Sequence, residues 1–462
     1  MRSSLCFWLL LTLGCACARD SGPPGPAALG AGFRFLGGRD GAILQDLEAD
    51  GPAARAGFRA GDRLLTVDGT TVDAFCAVDR VLRSKQPGQE IRLAVRRGGD
   101  VLAKTVKLAP AVTLHGEACA AGRAEGCYQL GILYVQGRGV EADPERANQL
   151  FEQACQAGSA AGCAELGGRY LNGYGGTVGD ARILELVHKA CDGGSAAGCA
   201  HLAFLYATGR GVPRDDARAL GLYQDACDGG DAPGCYNVGL HYEKARGTLE
   251  NPSLALVAYG RACDLGDAHG CTNLGFLYER GQGAPKDLER SAELYRQACE
   301  ENPCGEGDPL GCFNLGVFYR DGEGVDVDKA RAAALFEKSC AGRNAYGCAN
   351  LADLLYAGDG VPKDEERATG LFRKACEGGH AFSCRNLLAI QSGNGDPEVV
   401  ADALKRLERA CGEGEAGACR NLGAVYEEGL GVPADPARAS DFYRKACDGG
   451  DEEACSRAHR PG

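Results

Sequence analysis

The chain has 462 residues, a formal net charge of −13 and 25 cysteines, of which Cys6, Cys15 and Cys17 fall near the start. That length exceeds what one hydrophobic core serves, so several domains or a stacked array are implied. The acidic balance excludes a general nucleic-acid binder, which needs an excess of Lys and Arg.

Residues 1–18 read as an export signal, with Arg2, an apolar core from Leu5 to Leu13, and small residues after it. The apolar run is too short to span a bilayer, and no later stretch reads as a transmembrane span. Two processing routes are open. Ala16-Cys17-Ala18 fits an A-x-A cleavage site with a mature start at Arg19. Gly14-Cys15 resembles a bacterial lipobox and makes Cys15 a candidate lipid anchor, although Thr12 and Leu13 depart from the preferred residues. The expected location is therefore outside the cytoplasm: periplasmic, secreted, or an outer-membrane lipoprotein. In an oxidising compartment the remaining cysteines are expected to form disulfides. Their spacing is not C-x2-C, and the seven histidines are scattered, so no metal site and no cofactor is expected.

Residues 19–29 form a Gly/Pro/Ala-rich linker. Residues 30–110 then show short apolar strands separated by turn signals: Phe33–Leu36, Ala42–Leu47, Arg63–Val67, Glu90–Val95 and Val101–Leu108. Pro52–Gly57 fits one helical turn, and Val72–Arg83 has helical periodicity through Phe75, Val78 and Leu82. The text Gly51-Pro52-Ala53-Ala54-Arg55-Ala56-Gly57, followed by Gly61-Asp62-Arg63-Leu64-Leu65 and Val67-Asp68-Gly69, resembles a bacterial PDZ domain. Gly30-Ala31-Gly32-Phe33 stands where that family has its G-L-G-F carboxylate loop, with Ala for Leu. The resemblance implies peptide binding. Backbone N–H groups of Gly30, Ala31, Gly32 and Phe33 would meet a terminal carboxylate. The strand edge from Phe33 to Phe35 would add a peptide strand, with Val78 and Val81 over its last side chain. The plainer reading is that these glycines only make a turn and the valines only fill a core. No protease domain accompanies the PDZ-like segment.

From residue 111 to 462 one motif recurs. Cysteines pair eight apart at 119 and 127, 155 and 163, 191 and 199, 227 and 235, and 263 and 271. They continue at 340 and 348, 376 and 384, 411 and 419, and 447 and 455, with successive pairs usually 36 residues apart. Such a period means stacked supersecondary units. Each unit holds two apolar-periodic helices. The first ends at a Gly-x-Gly pair such as Gly209 and Gly211, and the second starts at an Asp such as Asp143 or Asp435, followed by Pro. Each cysteine pair therefore joins one repeat's second helix to the next repeat's first helix across a short turn. In chain terms these are Cys119–Cys127, Cys155–Cys163, Cys191–Cys199, Cys227–Cys235, Cys263–Cys271, Cys340–Cys348, Cys376–Cys384, Cys411–Cys419 and Cys447–Cys455. The interruption carries Cys299, Cys304 and Cys312: helix phase favours Cys299 with Cys312, and turn spacing favours Cys304 with Cys312. Cys76 has no evident partner.

The elements Leu274-Gly275-x-x-Tyr278, Gly209-x-Gly211-Val212 and Ala292-x-Leu294-Tyr295-x-x-Ala298-Cys299 resemble the Sel-one-like repeats of exported, cysteine-rich bacterial proteins, relatives of the tetratricopeptide repeat. The expected fold is mainly α: a disulfide-linked α/α solenoid of about nine repeats behind a small β-rich domain. Gly173–Gly175 disturb the second unit's turn, and Leu388–Gly393 in the eighth lack the Leu-Gly-x-x-Tyr text. The resemblance implies protein or peptide partners, one on the PDZ-like domain and a second on the concave solenoid face. Some members of that repeat family are described as penicillin-binding or β-lactamase proteins, so a hydrolase is the alternative. The chain has no S-x-x-K, S-D-N or K-T-G text for serine β-lactamase chemistry. Ser159 and Ser195 read as helix caps, and the tyrosines at 170, 206, 242, 278, 319 and 356 read as packing residues. No catalytic residue is assigned.

Overall fold

The computed structural model describes residues 27–28, 31–35, 42–47, 51–72, 81, 88–176, 178–300, 307–392 and 395–458. The expected signal, Cys15, Gly30, Cys76, Val78 and Cys304 lie outside them. The chain divides into two compact units, Met1–Pro285 with Glu301–Glu306, and Lys286–Glu300 with Gly307–Gly462.

The first unit opens with β1 (Ala27–Ala28), β2 (Ala31–Phe35), β3 (Ala42–Leu47), α1 (Pro52–Arg55), β4 (Arg63–Val67), β5 (Thr70–Thr71), β6 (Glu90–Arg97), β7 (Asp100–Lys107) and β8 (Ala109–Pro110). One antiparallel sheet runs β2-β3-β4-β6-β7, and β5 pairs β4. Alternation decides which face is buried: on β6, Ile91, Leu93 and Val95 point inward while Glu90 and Arg92 are exposed. With Leu44, Leu64, Val67, Phe58 and Val106 they make the domain's core. Part of the expected linker is strand. Ala27 and Ala28 pair with Pro110 and Ala109, closing a second ribbon beside the sheet.

That ribbon leads without a spacer into the array. The helices of the first unit are α2 (Ala111–Ala120), α3 (Ala124–Gln136), α4 (Pro144–Gln156), α5 (Ala160–Leu171), α6 (Asp180–Asp192), α7 (Ala196–Thr208), α8 (Asp216–Asp228), α9 (Ala232–Glu243), α10 (Pro252–Asp264) and α11 (Ala268–Arg280). Those of the second are α12 (Leu288–Cys299), α13 (Pro309–Asp321), α14 (Lys329–Ala341), α15 (Ala345–Ala357), α16 (Glu365–Glu377), α17 (Ala381–Ile390), α18 (Pro397–Gly412), α19 (Ala416–Glu428), α20 (Pro436–Asp448) and α21 (Glu452–Ala458). The array is thus an α/α solenoid.

Local chemistry sets the helix ends. Asp143 Oδ1 accepts from Arg146 N at 2.8 Å, and Ser159 Oγ from Gly162 N at 3.0 Å, each meeting an otherwise unpartnered donor of a first turn. Gly209 and Gly429 end α7 and α19 in the left-handed region, at φ 72° and 70°, which a side chain would strain. The second unit of the repeat departs as its sequence does: α5 stops at Leu171 with Asn172 at φ −90° rather than a left-handed glycine, and Gly179 leaves α6 without a side-chain cap. In the eighth, α17 has 10 residues and α18 has 16. The tyrosine row also has one exception. Tyr206 is buried, whereas Tyr356 is 44% exposed because Leu355 takes the inward register.

At each junction the chain turns back and a disulfide closes it; ten are present among the described residues, with Cα–Cα distances of 4.4 to 4.7 Å. The three-cysteine junction pairs Cys299 with Cys312. Small residues permit the approach. A Cβ at Gly198 would lie 2.5 Å from Ala190 Cβ and 2.9 Å from the Ala190 carbonyl carbon. Cations then reach back one repeat to the carbonyls at a helix C-terminus, where the helix dipole favours positive charge. Lys189 Nζ donates to Cys155 O at 2.8 Å, Arg261 Nη2 to Cys227 O at 3.1 Å, and Lys338 Nζ to Cys299 O at 2.7 Å.

Two outcomes are expected of the joints. Gly198→Ala should destabilise by about 1–3 kcal/mol through overpacking and should raise the free-thiol titre, measured by thermal melting and thiol titration. Replacing Cys263 and Cys271 together by Ser should cost about 2.5 kcal/mol, the chain-entropy value for an eight-residue loop, in urea melts.

Candidate functional site

Two features are candidates for a binding site. The first is the free edge of the N-terminal sheet. β2 holds Ala31, Gly32, Phe33 and Phe35, and pairs only with β3 among the described residues, through Ala31↔Leu47, Phe33↔Leu44, Arg34↔Ile43 and Phe35↔Ala42. The register shifts between Ala31 and Phe33, so a bulge lies at the strand's start. An edge strand of this kind presents main-chain donors and acceptors that a peptide strand can use. Val81 lies in helical backbone, half-buried and packed against the domain core. It therefore fills a core position as well as being a site candidate.

An ion pair between a buried carboxylate and a partly exposed guanidinium holds the turn that feeds β4. Arg97 Nε donates to Asp62 Oδ1 and Nη2 to Oδ2, both at 2.6 Å, and Nη2 also reaches Gly57 O at 3.1 Å. Arg59 N donates to Asp62 Oδ2 at 2.8 Å. Asp62 is 1% exposed. The Arg97 guanidinium holds its carboxyl below the usual carboxylate range, against the opposing effect of burial. This pair joins the loop after α1 to β6 and so fixes the sheet that presents β2.

The second surface lies on the first helices of the repeats. A polar residue follows the second cysteine of each repeat by two positions, as at Gln129, Glu165, His201, Asn237, Asn314 and Asn350. Sequence reasoning passed over this row, although its fixed offset from the cysteines was a usable signal. Asn237 Nδ2 donates to Pro233 O at 2.8 Å, and Asn350 Nδ2 to Tyr346 O at 2.9 Å. Asn350 also accepts from Arg320. In the second and third repeats the row carries ionisable groups instead. Burial pushes the Glu165 carboxyl up, opposed by Arg169. Burial pushes His201 down to about 4, and its buried Nδ1 has no hydrogen-bond partner. His201 is therefore neutral at pH 7. His241 is also a packing residue, with Nδ1 2.9 Å from Arg246 O. In the second unit the same helices expose Leu310, Tyr346 and Phe382, and the Tyr346 ring lies 5.9 Å from Phe313 and 5.0 Å from His380. Among the described residues no helix is long and apolar enough to cross a membrane.

Comparison with known proteins agrees with this division. Residues 27–108 match the PDZ domain family. Residues 124–159, 196–231, 232–267, 268–303, 309–344, 345–380 and 416–451 match the Sel1 repeat. The gaps in that series fall on the second and eighth repeats, whose turns and helix lengths depart from the rest. Among solved structures, a protective antigen of uropathogenic Escherichia coli with an SLR fold, c5321, is 26% identical, with a TM-score of 0.50 over 75% of this chain and 81% of that one. A probable periplasmic serine endoprotease, DegP-like, from Halomonas elongata is 48% identical over 60 residues, 13% of each chain. The Na(+)/H(+) exchange regulatory cofactor NHE-RF1 of Gallus gallus is 41% identical over 88 residues, 16% of this chain and 26% of that one. The chain spans well under a third of the length of those two relatives.

Asp62→Asn should destabilise the N-terminal domain by about 2 kcal/mol at pH 7, because Arg97 loses its charged partner. The depressed carboxyl contributes stability above its unfolded value of about 3.9, and that contribution is lost as pH falls through the lower folded value. The gap between wild type and variant should therefore close below about pH 4, read by urea titration with hydrogen exchange of β4 and β6 peptides.

Proposed function

The chain belongs to the Sel1 repeat family and carries a PDZ domain, and from that premise we propose that it is an exported adaptor without a reaction of its own. The PDZ domain takes the C-terminus or an extended segment of one protein at β2. The repeat array takes a second protein on the polar row of its first helices. Both modules are protein-interaction domains. The observation that carries the reading is the position of β2, at the sheet edge with its outer side unpaired among the described residues. Strand addition there would use main-chain hydrogen bonds for affinity, and the backbone N–H groups of Gly30, Ala31, Gly32 and Phe33 would take the terminal carboxylate. In this reading Val78 and Val81 would lie over the last side chain of the bound peptide.

The ten disulfides among the described residues support an oxidising compartment. We place the protein in the periplasm or outside the cell, delivered by the segment ending near Ala18 or anchored through Cys15. The periplasmic name of the Halomonas relative, which shares the PDZ segment, fits that assignment.

The test uses the oxidised full-length chain and a library of fluorescent peptides ending in an apolar residue. A peptide that binds as the free acid should bind at least tenfold more weakly as its C-terminal amide. Equal affinity for acid and amide across all binders would remove the carboxylate site from this reading.

A further inference from the structure

The second helix of each repeat presents an outward row set by its distance from the cysteine at its end. Nine residues before that cysteine the chain has arginine in seven repeats, Arg182, Arg218 and Arg367 among them; the fourth repeat has Leu254 and the eighth Asp402. Several of these arginines are engaged. Arg182 bridges Glu152 at 2.6 Å and Glu185 at 2.7 Å, Arg218 lies 4.3 Å over the Tyr206 ring, and Arg367 pairs with Glu337. This polar lattice is what keeps the outer face wetted.

The fourth repeat breaks it at several points at once, all on or beside α10. Leu254 is 43% exposed and Val257 57% exposed, where the second repeat has Arg182 and Glu185. Leu265, 39% exposed, stands where Gly193 and Gly229 stand in the repeats before it. Leu249, just ahead of the helix, is 85% exposed. Positions 254, 257 and 265 fall on one face of a helix. Gly260 leaves that face open beside them, since a Cβ there would meet only Leu274 Cδ2 at 4.0 Å. One apolar side chain in water needs no explanation, but four exposed in a single repeat, two of them at positions that carry charge in the second repeat, mark an interaction surface.

Charge decides among the occupants. Glu250 adjoins Leu249, and Asp264 lies two turns beyond Val257 on the same face. Arg261, between them, is already bonded to Asp228 Oδ1 at 2.8 Å and to Cys227 O. A second copy would bring the same carboxylates against themselves, and an anionic bilayer would meet a chain of net charge −13. We propose that the outer face of α10 docks a cationic amphipathic segment of a partner protein, whose apolar side chains cover Leu254, Val257 and Leu265 and whose Lys or Arg side chains meet Glu250 and Asp264. This site lies apart from β2 and from the first-helix face.

The probe is an 18-residue fluorescent helical peptide of Leu and Lys, with a Leu and Glu peptide as its control, titrated into the oxidised full-length chain. The comparison variant is Leu254→Arg with Val257→Glu. It leaves net charge unchanged and restores residue types that the second repeat already accommodates. The Leu/Lys peptide should bind wild type at least tenfold more tightly than the double variant, more weakly at higher salt, and the Leu/Glu peptide should bind neither. Leu249→Ser, at an exposed loop position, should weaken binding about threefold and serves if the double variant misfolds. Equal binding to wild type and variants would overturn the proposal. So would self-association in sedimentation velocity, or binding to phosphatidylglycerol vesicles, that Leu254→Arg with Val257→Glu abolishes while peptide binding stays unchanged.

Discussion

The close approach of two helix backbones at each repeat junction is the constraint on which the array depends. Cysteines can bridge only when their Cα atoms come within about 6 Å and their Cβ atoms face each other. Here the distances are 4.4 to 4.7 Å, and they are set by glycine and alanine rather than by the sulfurs. Gly162 against Ala154 and Gly198 against Ala190 leave no room for one more methyl group. The turn between them is brief, the capping Ser or Asp begins the next helix at once, and a lysine or arginine from the following repeat closes over the carbonyls left behind. A solenoid is otherwise held by contacts between neighbouring units alone. Covalent closure at the junctions frees the side chains elsewhere on the helices to vary.

That freedom is visible in the registers. Position by position, the repeats conserve small residues and cysteines at the joint, while the row two residues after the second cysteine runs from Gln129 through Glu165 and His201 to Asn237. The outer row runs from Arg146 to Leu254 in the same way. A scaffold whose stability lies in the joints can carry different chemistry on each face of each repeat. The PDZ domain solves the problem differently. Its binding edge is main chain, so the side-chain network around Asp62 and Arg97 serves to hold the sheet rather than to touch a ligand.

Much of this was legible in the sequence because it is periodic. β3 and β4 occupy the expected residues, Ala42–Leu47 and Arg63–Val67, since turn residues bracket alternating apolar ones. The repeat helices fall between Asp or Ser caps and Gly ends for the same reason. What escaped is what depends on tertiary partners. Ala27 and Ala28 have the composition of a linker and become strand only because Ala109 and Pro110 lie beside them. Tyr356 looks like its predecessors but sits one register out, with Leu355 taking the buried place. Neither reading of the Cys299–Cys304–Cys312 cluster was decisive from spacing; the continuous helix through Leu288–Cys299 places Cys299 opposite Cys312. The apolar face of α10 needed exposure as well as sequence, because leucine in a helix usually means core.

The eight-residue separation within nine of the ten disulfides has a consequence for how the chain acquires its oxidised form. With many thiols in one chain the number of wrong pairings is enormous, yet each correct partner here is a near neighbour along the backbone. Closing a loop of about ten residues takes on the order of 10–100 ns, far faster than any encounter between distant segments. Whenever a thiol is oxidised, the native partner is thus the thiol most often within reach, one hairpin at a time. The 13-residue Cys299–Cys312 loop is the exception, because a competing thiol, Cys304, lies inside it. At that junction alone among the ten, nearness along the chain does not single out the native partner.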